Sequence, residues 1–111
     1  MQTINFNNLK RKYLTVTLPD EETTVLQISM PTKKIVDELL SVQSRFTNIE
    51  ESNSTDLLTD IYTLSAKIMS KNKTNKKVSK EFLEEHLSIE DITLFFKSYM
   101  DFVQSTVNQK N

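Results

Sequence analysis

The chain contains no glycine in 111 residues, and this restricts its architecture more than any other feature. Glycine enters the φ > 0 region without steric cost, so it normally closes tight turns, ends helices and lets backbone approach a phosphate. A chain without it has no P-loop and no glycine-rich dinucleotide fingerprint. Its turns and helix ends must place Asn or Asp in the left-handed region instead. Asn48, Asn53, Asn72 and Asn75 stand where such reversals are expected.

Other absences narrow the chemistry. There is no cysteine, which excludes disulfides and thiolate metal sites. The single histidine, His86, cannot by itself build a His-based zinc centre, and no cofactor is expected. A net charge of −1 argues against a general polyanion binder. No apolar run reaches membrane-spanning length, and MQTINFNNLK lacks the apolar centre of a signal peptide. The expectation is one soluble cytoplasmic domain, long enough to bury a core without staples.

Hydrophobic periodicity organises the rest. Residues 1–11 are polar apart from Ile4, Phe6 and Leu9, and read as a loosely held arm whose Ile4 and Phe6 could pair briefly onto a sheet edge. In 12–18, Leu14, Val16 and Leu18 alternate with Tyr13, Thr15 and Thr17; in 25–30, Leu26, Ile28 and Met30 alternate again. That period of two predicts a β-hairpin over 12–30, turning at Pro19–Thr23. Four helices should follow, at about 32–48, 55–70, 79–87 and 88–107. The first carries Ile35, Leu39, Val42, Phe46 and Ile49 on one stripe, with Val36 and Leu40 beside it. The second carries Leu57, Ile61, Leu64 and Ile68. Thr32, Ser54 or Thr55, and Ser79 are N-cap candidates, and Ser88 with Asp91 resembles a capping box. The last helix holds half the chain's six phenylalanines, on a stripe of Ile89, Ile92, Phe96, Tyr99 and Val103 widened by Phe95, Phe102 and Val107. It is expected to dominate the core. The fold class is α+β, mainly helical, in a single domain over 12–111.

Few residues suggest chemistry. His86 near a helix C-terminus suits the dipole as a solvated residue. The pairs Glu21-Glu22, Glu50-Glu51, Glu84-Glu85 and Glu90-Asp91 fall at predicted turns or exposed faces, whereas acid–base work needs a carboxyl in an apolar pocket. Residues 71–80 contain Lys71, Lys73, Lys76, Lys77 and Lys80 but no arginine or stacking aromatic. This segment reads as a flexible, solvated connector; if it has a role, Lys71, Lys73, Lys76 and Lys77 would contact an acidic protein partner sooner than DNA. Surplus apolar surface is the more informative signal. Leu94, Met100 and Phe102 lie off the main stripe of the last helix, and with Met69 they are the candidate partner-binding residues.

Three stretches taken in order carry a family resemblance: YLTVTLPD at 13–20, MPTKKIVDELL at 30–40, and SKNKTNKKVSKEFLEEHLSIEDITLFFKSYMDFV at 70–103. Their order and spacing resemble the tail assembly chaperones of long-tailed bacteriophages that infect Gram-positive bacteria. Members often carry glycine in the hairpin turn and the lysine segment, where this chain has Asp20-Glu21-Glu22 and Thr74-Asn75-Lys76.

The resemblance implies a non-enzymatic protein made during virion assembly, acting in the host cytoplasm and absent from the finished particle. Its partner would be the tape measure protein, a long helical chain, with the major tail tube protein as a second candidate. Self-association through the hairpin or the last helix is a further expectation, as is a programmed frameshift near the end: codons CAA-AAA-AAC for Gln109-Lys110-Asn111 would contain a slippery A-AAA-AAC. Two other classes stay open. One is a small phage or bacterial adaptor or inhibitor that captures a single host protein. The other is a nucleic-acid-associated regulator using the lysine segment, which would show strongly salt-dependent DNA binding. An enzyme is not expected, nor is a membrane partner.

Overall fold

The computed structural model describes residues 3–7, 9–47 and 54–107, with backbone alone at Phe46, Thr47, Ser54, Thr55 and Val107. The expectations for Asn48, Ile49, Asn53, the polar connector and residues 108–111 lie outside the described residues. So do those for the side chains of Phe46, Ser54, Thr55 and Val107.

The architecture is a two-stranded antiparallel hairpin followed by four helices: β1 (Tyr13–Thr17), β2 (Val25–Ser29), α1 (Lys33–Thr47), α2 (Ser54–Met69), α3 (Lys80–His86) and α4 (Ile89–Val107). The alternation sets the register. Leu14 faces Ile28 and Val16 faces Leu26, so one face of the hairpin is apolar. In the turn, Leu18 N–H donates to Thr24 O at 2.8 Å and Thr23 N–H to Asp20 O at 3.0 Å. The Asp20 carboxylate accepts the Thr24 hydroxyl and the Thr24 N–H, and these bonds hold its pKa below the ordinary value. The left-handed residue here is Thr23, with φ of 51°, not an Asn or Asp.

The helix starts follow the capping signals. Thr32 Oγ1 accepts Ile35 N–H at 3.4 Å, and Ser79 Oγ accepts Phe82 N–H at 3.0 Å. At α4 the box is reciprocal: Ser88 Oγ accepts Asp91 N–H at 3.1 Å while Asp91 Oδ2 accepts Ser88 N–H at 3.0 Å. One residue, Leu87, separates this box from α3, and its carbonyl accepts the Tyr62 hydroxyl at 2.8 Å. That bond ties the α3–α4 junction to α2.

The organising helix is α2, which corrects the expectation that α4 dominates the core. It packs against β2, α1, α3 and α4, and Ile61, Tyr62, Leu64, Ser65, Ala66, Ile68 and Met69 are all buried. Ring count misled because burial follows the number of faces covered: Ala66 and Ser65 are small, which lets neighbours close on α2 from several sides. α4 buries a narrower line, Ile92, Phe95 and Tyr99, while Phe96 and Val103 are half-buried. Ile89, assigned to the stripe, is 56% exposed. Burial raises the Tyr99 phenol pKa well above its ordinary value. Across the α1–α2 surface, Arg45 meets Asp60, and Lys67 meets Glu38 at 2.9 Å. Exposed pairs like these are worth at most about 1 kcal/mol each.

Ser65 is fully buried and its Oγ has no hydrogen-bond partner. A buried hydroxyl left unpaired costs about 1–3 kcal/mol, and alanine is also the better helix former. Ser65→Ala is therefore expected to stabilise the protein by about 1 kcal/mol, read as a raised urea midpoint at unchanged slope.

The lysine segment is not a loose connector. Ser29 N–H donates to Lys71 O at 3.0 Å and Lys73 N–H to Gln27 O at 2.9 Å, with Asn72 opposite Ile28, so 71–73 line the far edge of β2. Asn72 is buried and uses its whole amide. Its Nδ2 donates to Met69 O at 2.8 Å and Lys76 O at 2.7 Å; its Oδ1 accepts Lys76 N–H at 2.9 Å and the Thr74 hydroxyl at 3.1 Å. Ser70 Oγ donates to Val78 O at 3.0 Å and accepts Val78 N–H at 2.9 Å, closing the segment at its ends. Asn75 takes the left-handed conformation, φ 60°, as the missing glycines require; Asn72 acts through its side chain instead.

Candidate partner-binding groove

α1 and α4 each lie on α2 and leave a groove of about 380 Å³ between them. Its floor is apolar: Leu39 and Val42 from α1, Phe96 and Met100 from α4. Its rims are polar, with Gln43 on one side and Thr93, Lys97, Asp101 and Gln104 on the other. The α4 residues recur at steps of three and four, so one continuous helix face lines the groove from Thr93 to Gln104. At 1.5 Å per residue that face is about 17 Å long, or three helical turns. Phe96 and Met100 are half-buried and open to the groove, while Leu39 and Val42 are nearly covered.

A second groove, of about 440 Å³, lies between β1 and α4. Leu14, Val16, Leu18, Leu87 and Phe95 line it, with Leu94 on its rim at 63% exposure. The four candidate partner residues therefore do not form one site. Met100 belongs to the α1–α4 groove and Leu94 to the β1–α4 groove. Phe102 is half-buried, its ring 6.3 Å from that of Tyr99. Met69 is 1% exposed, because α2 is covered on several sides; it belongs to the core and also lines the β1–α4 groove. Sequence reading missed Leu39, Val42 and Phe96 as groove residues because a helical stripe does not say which of its members a neighbour leaves uncovered. The 93–96–100–104 spacing was the available signal.

The lysines are exposed but do not converge. Lys73 Nζ sits 5.6 Å from the centre of the Tyr13 ring, Lys76 Nζ donates to Thr24 Oγ1 at 3.2 Å, and Lys76 and Lys77 line a shallow groove beside Asp20. Lys71 is exposed at the β2 edge. His86 is exposed in the last turn of α3, with its ring 4.4 Å from Phe82. Among the described residues, no three of His, Cys, Asp and Glu come together as metal ligands, and no helix is long and apolar enough to cross a membrane. No protein-family model, curated protein or solved structure matches the chain.

Proposed function

We propose that this protein is a non-catalytic assembly chaperone that holds an amphipathic helix of a long helical client in the groove between α1 and α4. The α1–α4 groove carries the reading. A client helix laid along it would set side chains at i, i+3 or i+4, and i+7 over Leu39, Val42, Phe96 and Met100. Met100 is unbranched and polarizable and adapts to varied side chains, which suits a client presenting many similar stripes. The polar rims, Lys97 and Asp101 among them, can pair with charges beside a client's apolar stripe.

The ordered resemblance to phage tail assembly chaperones points to the client: tape measure protein, bound in the host cytoplasm during tail assembly, with tail tube subunits as a second partner. A groove this short supports modest affinity per copy, so several copies along one client are needed for solubility and each can still be released.

Co-expression with the tape measure protein encoded beside it tests this. The expected result is a soluble client that co-elutes with this chain on size exclusion, the mass ratio giving copies per client. A client that stays insoluble, both with this chain and with any frameshift-extended form, would reject the reading.

A further inference from the structure

The hairpin has two edges, and among the described residues only the β2 edge has a backbone partner. Leu18 N–H bonds across to Thr24. By the alternation of an antiparallel pair, Leu14 and Val16 also turn their N–H and C=O groups toward β2, and those of Thr15 and Thr17 point away from it. On β2 the outward Ser29 N–H donates to Lys71 O and the outward Gln27 C=O accepts Lys73 N–H. No described residue makes a backbone hydrogen bond to the outward groups of Thr15 or Thr17. Beside this open edge runs the apolar β1–α4 groove.

The arm that precedes β1 has the complementary pattern. Ile4 and Phe6 are 70% and 69% exposed, two residues apart, the spacing that puts both on one face of a strand. Among the described residues the arm's hydrogen bonds are local ones, Asn7 N–H to Asn5 Oδ1 and the Arg11 guanidinium to Phe6 O. Charge chooses between the two directions in which a second copy's arm could lie along β1. Antiparallel pairing with Ile4 and Phe6 over Val16 and Leu14 brings the two copies' Lys10-Arg11-Lys12 segments together, where they repel. Parallel pairing with Ile4 beside Leu14 and Phe6 beside Val16 carries that basic segment to the acidic turn Asp20-Glu21-Glu22, whose Glu21 and Glu22 are exposed.

We infer that the N-terminal arm of a second copy adds as a parallel strand to the outer edge of β1, seating Ile4 and Phe6 at the β1–α4 groove. The contact is head-to-tail, so each copy gives an arm to one neighbour and receives one from another, and assembly continues beyond a dimer unless a ring closes. This inference does not depend on the client-binding reading, since it uses the opposite side of α4.

Sedimentation velocity of the full chain, over concentrations rising to the millimolar range, is the test. The mass is expected to climb past that of a dimer. Ile4→Asp/Phe6→Asp, which alters only exposed side chains, should abolish the climb. So should Thr15→Pro, which blocks the open edge while the bonds of Leu14 and Val16 to β2 remain. An equimolar mixture of the two variants restores one arm–edge contact and should give a dimer that grows no further. Should Thr15→Pro fail to fold, as judged by circular dichroism, Lys10→Glu/Lys12→Glu replaces it in the single-variant test and should likewise prevent growth. A full chain that stays monomeric, one that stops at a dimer, or an Ile4→Asp/Phe6→Asp variant that associates like the unaltered chain would each overturn the inference.

Discussion

Replacing Asn72 by alanine is expected to destabilise the protein by about 3 kcal/mol, the largest loss anticipated for any single polar side chain here. The amide makes four hydrogen bonds, two through Nδ2 and two through Oδ1. Each is worth about 0.5–1.5 kcal/mol net, and removing the amide leaves the Met69 and Lys76 carbonyls without it in a part-buried site. The damage should spread along the backbone: the amide protons of Ser29, Lys73 and Lys76, held by this segment, should exchange faster, while those of α2 keep their protection. Asn72→Asp sharpens the test. It preserves shape and the two accepted bonds but turns a carboxylate oxygen toward two carbonyl oxygens, so it should lose stability comparably despite the surrounding lysines. Equal stability of Asn72→Ala and the unaltered chain in urea denaturation would show that the segment is held by something else.

The second large effect concerns binding. Met100→Asp is expected to weaken client capture about thirtyfold, equivalent to ~2 kcal/mol, the scale of a central anchoring residue. The side chain is half-buried at the groove, so the stability cost should be small beside the binding cost. Leu94→Asp is the control. Leu94 is exposed on the rim of the other groove, and its substitution should leave client affinity unchanged. Isothermal titration with a client peptide reports both, and the reverse ranking would move the client to the β1–α4 groove.

Local patterns in the sequence were reliable where a single element decides the outcome. The alternation of Leu14, Val16, Leu26 and Ile28 placed the hairpin. Ser79 and the Ser88–Asp91 pair placed two helix starts within a residue. What one element cannot report is how many neighbours cover it. Thus α4, rich in rings, reads as the centre, whereas α2 holds that position through the small side chains of Ser65 and Ala66. For the same reason the near-complete covering of Met69, at the β1–α4 groove, and the exposure of Ile89 are not visible in the helical pattern. The lysine segment shows a different limit. Its composition reads as solvated, and the side chains of Lys71, Lys73, Lys76 and Lys77 are exposed. Its order comes from the buried Asn72 amide, the Ser70 hydroxyl and the backbone bonds to β2, none of which its lysine-rich composition reveals. The groove was legible as surplus apolar surface on α4, but its other wall is Leu39 and Val42 of α1, more than fifty residues earlier.

The hairpin turn bears on the order in which the chain folds. Thr23 is β-branched and sits at φ of 51°, a region that costs a non-glycine residue on the order of 1–3 kcal/mol. A turn so disfavoured does not nucleate its own strands. The hairpin is therefore expected to form on α2 after the helices have associated, with its interactions contributing little to the transition state. Relieving the turn with Thr23→Asn should therefore slow unfolding and leave the folding rate nearly unchanged, the kinetic signature of a sheet that is the last part of the domain to arrive and the first to leave.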